Sequence, residues 1–297
     1  MPAANPKLIL IEGVPGSGKT STARFVCDWL ASQGRQTALF LEGDWNHPAD
    51  YESVACLDEN QFAALKDQFP AWADFLTQHA RLDHGDWFIS YRKLQHEHGG
   101  QAPEALFAAL AQYEIYELPA EKYQRLILLG WQNFTSRALA ENQTYVFECC
   151  FLQNPLTTLL AHHNLPEAAV RQFVLELAEI IRPLQPVLIH LTQSDVENTL
   201  EKVRGERPQA WADFVTGYIT GREYGQVHNL NGFAGIIQFY AARQALELEL
   251  LPALPFLTLP VPDLADWAAR YQIVTAGLLS VFPADQGAAH TDAKGVN

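Results

Sequence analysis

The stretch Gly13-Val14-Pro15-Gly16-Ser17-Gly18-Lys19-Thr20 fits the spacing G-x-x-x-x-G-K-[ST] with no gap or substitution. Each residue type at that spacing has a part in holding phosphate. Gly13, Gly16 and Gly18 let the backbone curl between Pro15 and Ser17, so that successive N–H groups point at phosphate oxygens. A helix that opens on Lys19, Thr20 and Ser21 adds free N–H groups and a positive dipole end. Lys19 brings a point charge to the β- and γ-phosphates, and the Thr20 hydroxyl is placed to hold Mg²⁺. The chemistry named by this motif is binding of a magnesium nucleoside triphosphate; it does not by itself name a reaction.

Two further sets of residues fall where such chemistry needs them. Glu42 and Asp44 follow an apolar run, Thr37-Ala38-Leu39-Phe40-Leu41. Ligands in open α/β sheets bind outside the carboxyl ends of the strands, so these acids lie where an acceptor would be held. Gly43 lets the chain turn, which makes Asp44 the first choice for a general base and Glu42 the second. Glu148 ends another apolar run, Thr144-Tyr145-Val146-Phe147, and is the second magnesium residue after Thr20. Farther along, Lys202-Val203-Arg204-Gly205-Glu206-Arg207-Pro208 concentrates positive charge around a glycine. Read alone, this is either an ordinary charged helix end or a source of charge, from Arg204 and Arg207, around a transferred group. His96-x-His98 is better read as a solvated loop than as a metal pair, since no further ligands accompany it.

The elements that position these residues are legible as an alternation of strands and helices. Lys7 to Glu12, Thr37 to Glu42, Thr144 to Glu148, Pro186 to Leu191 and Phe256 to Leu259 have the length and apolarity of buried strands. Helices are expected over 20–32, 60–80, 103–113, 121–140, 166–182, 209–224, 231–251 and 263–282. Ser194-Asp195-Val196-Glu197 has the pattern of a capping box that opens one more helix. Between Tyr51 and Leu118 no strong strand is evident, and Asp83-His84-Gly85-Asp86 reads as a polar loop. Trp267, Tyr271, Val274 and Leu278 are expected in the core. Residues 284–297 are small and polar and are expected to be disordered.

Composition narrows the partners. The chain has 297 residues, 48% of them hydrophobic, and a net charge of −14. That balance opposes a broad nucleic-acid surface, which wants clustered Lys and Arg. The four cysteines show no metal-ligand spacing and fit a reducing, cytoplasmic compartment. No leader and no membrane-spanning run is evident, so no membrane partner is expected.

The order of strand, P-loop, helix, acid-ended strands, capped helix and arginine segment resembles the P-loop small-molecule and nucleotide kinases. That group includes the thymidylate, deoxynucleoside, adenylylsulfate and antibiotic kinases. Leu41-Glu42-Gly43-Asp44 resembles the acid-bearing turn of adenylylsulfate kinases, and Pro186 to Pro208 the strand and lid of thymidylate-kinase-like proteins. The resemblance implies an α/β fold: a three-layer P-loop NTPase with a five-stranded parallel sheet flanked by helices, plus a helical insertion. It implies a single domain over 1–283, with the insertion at about 52–120 and a lid at about 202–225. It implies ATP and Mg²⁺ as cofactors and phosphoryl transfer to a hydroxyl of a small molecule. In that group the strand ending in Glu148 lies beside the P-loop strand. Many members carry Arg after that acid; here Cys149 follows, which counts against a phosphorylated or nucleoside acceptor. The alternative is a P-loop hydrolase or nucleotide switch with no acceptor; no N-K-x-D guanine motif is found.

Overall fold

The computed structural model describes residues 5–282. The expected disordered tail lies outside the described residues. Apolar runs become strands in chain order: β1 Leu8–Gly13, β2 Thr37–Phe40, β3 Val54–Leu57, β4 Arg81–Asp83, β5 Asp86–Ser90, β6 Thr144–Glu148, β7 Val187–Thr192 and β8 Leu257–Pro262. The helices before β6 are α1 Lys19–Ser32, α2 Glu59–Gln68, α3 Ala73–His79, α4 Tyr91–His98, α5 Glu104–Ala111 and α6 Ala120–Ala140. Those after it are α7 Gln153–Thr157, α8 Glu167–Ile181, α9 Val196–Glu206, α10 Gln209–Thr220, α11 Glu223–Val227, α12 Gly232–Leu250 and α13 Trp267–Val281.

The five expected strands form one parallel sheet in the order β2-β6-β1-β7-β8. All six residues of β1 are buried, because it is the central strand and both faces are covered. Side chains alternate across a strand, and the two cores follow that alternation. Leu8 and Leu10 join a core with Phe147, Leu188, Trp131 and Leu177. Ile9 and Ile11 join the opposite core with Val26, Leu30, Ile189 and Val274. Ile11 pairs in register with Glu148 and Glu12 with His190, so the acid ending β6 lies beside the chain as it enters the glycine loop. The chain leaves β1 for β2 on one side of the sheet and later passes from β6 across β1 to β7 on the other, so the carboxyl end of β1 lies at the switch point, where such sheets bind ligands.

Several local expectations need correction. The insertion is not helical alone: β3, β5 and β4 form a three-stranded antiparallel sheet. The expected polar loop at 83–86 is the turn of its hairpin. His84 at φ 50° and Gly85 at φ 86° give the two left-handed residues that match hairpin twist. This small sheet has its own core, with Leu57, Phe62 and Ile89 against Leu106 and Leu110. The segment 60–80 is two helices, α2 and α3, broken at Pro70 by a single 3-10 turn. His96 and His98 sit on α4 rather than in a loop. The helix α9 is capped by Asp195, whose side chain accepts from Asn198 N, and not by Ser194. Ser194 instead donates its hydroxyl to Asp263 at 2.8 Å. Gly205 is an ordinary helical residue of α9; the chain turns at Arg207, extended before Pro208. The last strand runs on through Pro260 to Pro262, as an edge strand permits.

Candidate active site

Residues Gly13 to Gly18 make the turn from β1 into α1. Gly13, Gly16 and Gly18 have φ of +147°, +80° and +96°, a region that favours glycine. Close neighbours add a second reason: a Cβ on Gly16 would lie 2.1 Å from Val203 Cγ2, and one on Gly18 2.3 Å from the Trp267 ring. The helix α1 opens on Gly18 with no side-chain cap and no acid in its first turn. Its free N–H groups and dipole are left for an anion. Ser17 Oγ is buried and has no hydrogen-bond partner among the described residues. An unpaired buried hydroxyl is costly, and a phosphate oxygen would satisfy it. The Lys19 ammonium is buried over the loop, 3.2 Å from the carbonyls of Gly13 and Val14. This set fits a nucleotide's phosphates.

The acids gather at the mouth of the same loop. The Thr20 hydroxyl donates to Glu148 at 2.8 Å. Glu42, Glu148 and Cys149 bring one ligand atom each within 4.8 Å of one another. Burial pushes Glu148 above the ordinary carboxylate range, against the pull of Thr20 and Lys19. Burial likewise pushes the Cys149 thiol well up, so it is protonated in the free protein. Oxygen donors from Thr20 and Glu148 fit a hard cation such as Mg²⁺, with the Glu42 carboxylate beside them. Gln153, at the start of α7, donates its amide to Glu42 at 2.9 Å. A single π-helical turn, Thr158–His162, follows α7; such turns recur at functional sites.

A cleft of about 600 Å³ joins these groups. Pro15, Gly16, Lys19, Glu42 and Glu148 line one end, with Arg207 and Arg243. Glu52, Tyr91, Glu114 and Tyr116 from the insertion line the other, facing Trp211, Phe214 and Tyr218 of α10. The structure does not bring every expected residue there. Asp44 is absent from the lining, and its carboxylate accepts from Asn46 N at 2.9 Å. Arg204 lies over the Phe233 ring and pairs with Glu201 at 3.6 Å. Trp267 is not core: it is 43% exposed and stands against Gly18, with Arg270 over its ring.

Sequence reasoning missed a buried charge cluster behind the loop. Arg243 and Glu247 on α12 form an ion pair at 3.0 Å, and His190 on β7 meets Glu247 at 2.9 Å. Arg243 also donates to Gly13 O at 3.2 Å and to Thr157 Oγ1 at 2.9 Å. Burial works against the Glu247 carboxylate, but Arg243 and His190 outweigh it and hold it below its usual range. We expect Arg243→Met to cost about 3–5 kcal/mol, because it strands a buried carboxylate. Urea unfolding measures the loss, and Arg243→Met combined with Glu247→Leu should recover most of it. A single-variant loss under about 1 kcal/mol would show the pair to be dispensable.

Glu12 is the other buried acid. Its carboxylate accepts from Phe151 N and Gln153 N, each at 2.9 Å. Burial outweighs those bonds and raises its pKa to about 7. The native state then holds a proton that the unfolded chain has lost, so stability from this group falls as pH rises through that range. The fall is worth about 3 kcal/mol. Unfolding at pH 5 and pH 8 measures it. Glu12→Gln should flatten the difference; an unchanged difference would place it elsewhere.

No family model matches the chain, and no curated protein does. Among solved structures it is similar to thymidylate kinase from Candida albicans, at 12% sequence identity and a TM-score of 0.39, over 93% of this chain and 92% of that one. A likeness of that size leaves the chemistry to the site itself. The parallel sheet, its strand order and the glycine loop between β1 and α1 define an α/β P-loop NTPase fold. Among the described residues no helix is long and apolar enough to cross a membrane.

Proposed function

We propose that this protein is a P-loop kinase that moves the γ-phosphoryl group of ATP to a hydroxyl of a small molecule. The observation that carries this is the continuous cleft: the phosphate loop and its acids line it together with residues of the insertion and α10. A hydrolase needs access for water alone, whereas this cleft of about 600 Å³ extends beyond the phosphate loop to Glu52, Tyr91 and Glu114 and leaves room there for a second substrate.

In this reading Thr20 and Glu148 hold Mg²⁺. Held there, Mg²⁺ would supply positive charge to offset the charge that develops during transfer. Lys19 supplies fixed positive charge on the phosphate side, and Arg207 supplies more from the end of α9. Arg243 is anchored by Glu247, so its guanidinium cannot swing away from Gly13 O. Phosphoryl transfer needs such positioning and charge more than covalent chemistry. Glu42 lines the cleft and is steadied by Gln153. It is therefore preferred over Asp44 as the group that orients the acceptor hydroxyl and takes its proton at a carboxylate oxygen.

The test is release of ADP from ATP and Mg²⁺, with and without a pool of small metabolites. A kinase should be nearly silent until the pool is added, and silent again without Mg²⁺. Equal turnover with and without the pool would instead favour a hydrolase.

A further inference from the structure

The acceptor end of the cleft concentrates carboxylates whose hydrogen bonds come from neutral groups. Glu52 and Glu114 line it, and Asp50 stands directly behind two of its lining residues. The Asp50 carboxylate is used by Tyr116 OH and by Asn154, the latter at 3.0 Å. The Glu114 carboxylate is used by Tyr91 OH and by Ser53 N at 3.1 Å. Every one of those donors is neutral. The two arginines that also line this end have partners other than Glu52 and Glu114. Arg222 pairs with Glu117 at 2.6 Å, and Arg92 donates to Gln95 at 3.1 Å. Burial and the neighbouring Asp50, Glu42 and Glu114 raise the Glu52 pKa to about 7, the expected outcome for buried, crowded acids.

A second observation is independent of the acids. Gln153 lines the cleft and is only 7% exposed. Its Oε1 is buried with no hydrogen-bond partner among the described residues. The amide cannot turn to relieve this, because its nitrogen is committed to Glu42 at 2.9 Å. A buried acceptor in that state calls for a donor from a ligand.

We propose that the molecule held at this end is a cationic, donor-rich alcohol: an amine-bearing polyol or amino alcohol. Its ammonium meets Glu52 and Glu114, and one of its N–H or O–H groups satisfies Gln153 Oε1. Carbon between these groups lies against Trp211 and Phe214 of α10. An acceptor already carrying phosphate or carboxylate is repelled by the same wall. The proposal rests on the kinase reading only in calling this ligand the phosphoryl acceptor.

Binding, not turnover, tests it. The full chain, with Mg²⁺ and a non-hydrolysable ATP analogue, is titrated calorimetrically with a panel of amino sugars and amino alcohols. Each amine is paired with its N-acetyl form, and thymidine monophosphate represents the anionic alternative. The tightest amine should bind about tenfold or more better than its acetylated partner, the worth of one charge-assisted hydrogen bond. Glu52→Gln should erase that preference. Equal binding within every pair, preference for thymidine monophosphate, or no binding by any amine overturns the proposal. If amines bind selectively but none triggers ADP release, the amine site stands and the kinase reading falls. If ADP release needs an acceptor that is neutral or anionic, the reverse holds.

Discussion

Lys19→Ala should lower kcat by about 10³-fold while the protein still folds. Lys19 is a buried cation at the loop, 3.2 Å from two loop carbonyls. Removing one preorganised charge from a water-poor site typically costs about 10²–10³-fold in rate. The upper end is expected here, since negative charge develops on the departing ADP oxygens as the bond to the γ-phosphoryl group loosens. ADP binding should weaken much less, because the loop N–H groups and the start of α1 hold the α- and β-phosphates without it. Steady-state kinetics and calorimetric titration of ADP separate the two effects. Far-UV circular dichroism checks the fold. A normal rate and normal ADP affinity in the variant would remove the loop from the chemistry.

The parts of this molecule that sequence made legible share one physical property: they bury apolar surface on a regular period. β1, β6 and β7 read clearly because a doubly covered parallel strand must be apolar on both faces. The glycine loop read clearly because few other residues fit its backbone. The insertion strands were hidden for the opposite reason. β3 is four residues long, and β4 begins with exposed Arg81 and Leu82. Only Gly85, with Trp87-Phe88-Ile89 beyond it, signalled a hairpin. Arg243 and Glu247 were hidden inside α12, yet a signal existed. That helix is apolar around much of its circumference, so it is buried, and charges spaced four apart inside it need each other. The cleft's far wall could not be read at all. Glu52, Tyr91, Glu114 and Phe214 come from distant segments, and only the fold brings them together. Trp267 misled because an aromatic at helical spacing usually packs inward; here it stands at the loop.

The two acids after β2 give the sharpest test of what the fold adds. Sequence position favours Asp44, since Gly43 frees it to project. The structure turns Asp44 back on its own chain, where it accepts from Asn46 N. Glu42 lines the cleft instead, within reach of Glu148 and bonded to Gln153. We therefore expect Glu42→Gln to lower kcat by about 10²–10⁴-fold, the usual contribution of an oriented general base. ADP affinity should change little, because phosphate contacts come from the loop. Asp44→Asn should keep at least about a third of the rate, since its one visible role is a local turn that asparagine also makes. Measuring both variants at saturating ATP and acceptor, with ADP affinity taken separately, distinguishes the two. The opposite ranking would place the base at Asp44 and require its loop to swing inward during turnover. Full activity in both single variants and in the double variant would show that no acid of this turn takes the proton, and would leave orientation and charge from Lys19, Arg207 and Arg243 as the source of the rate.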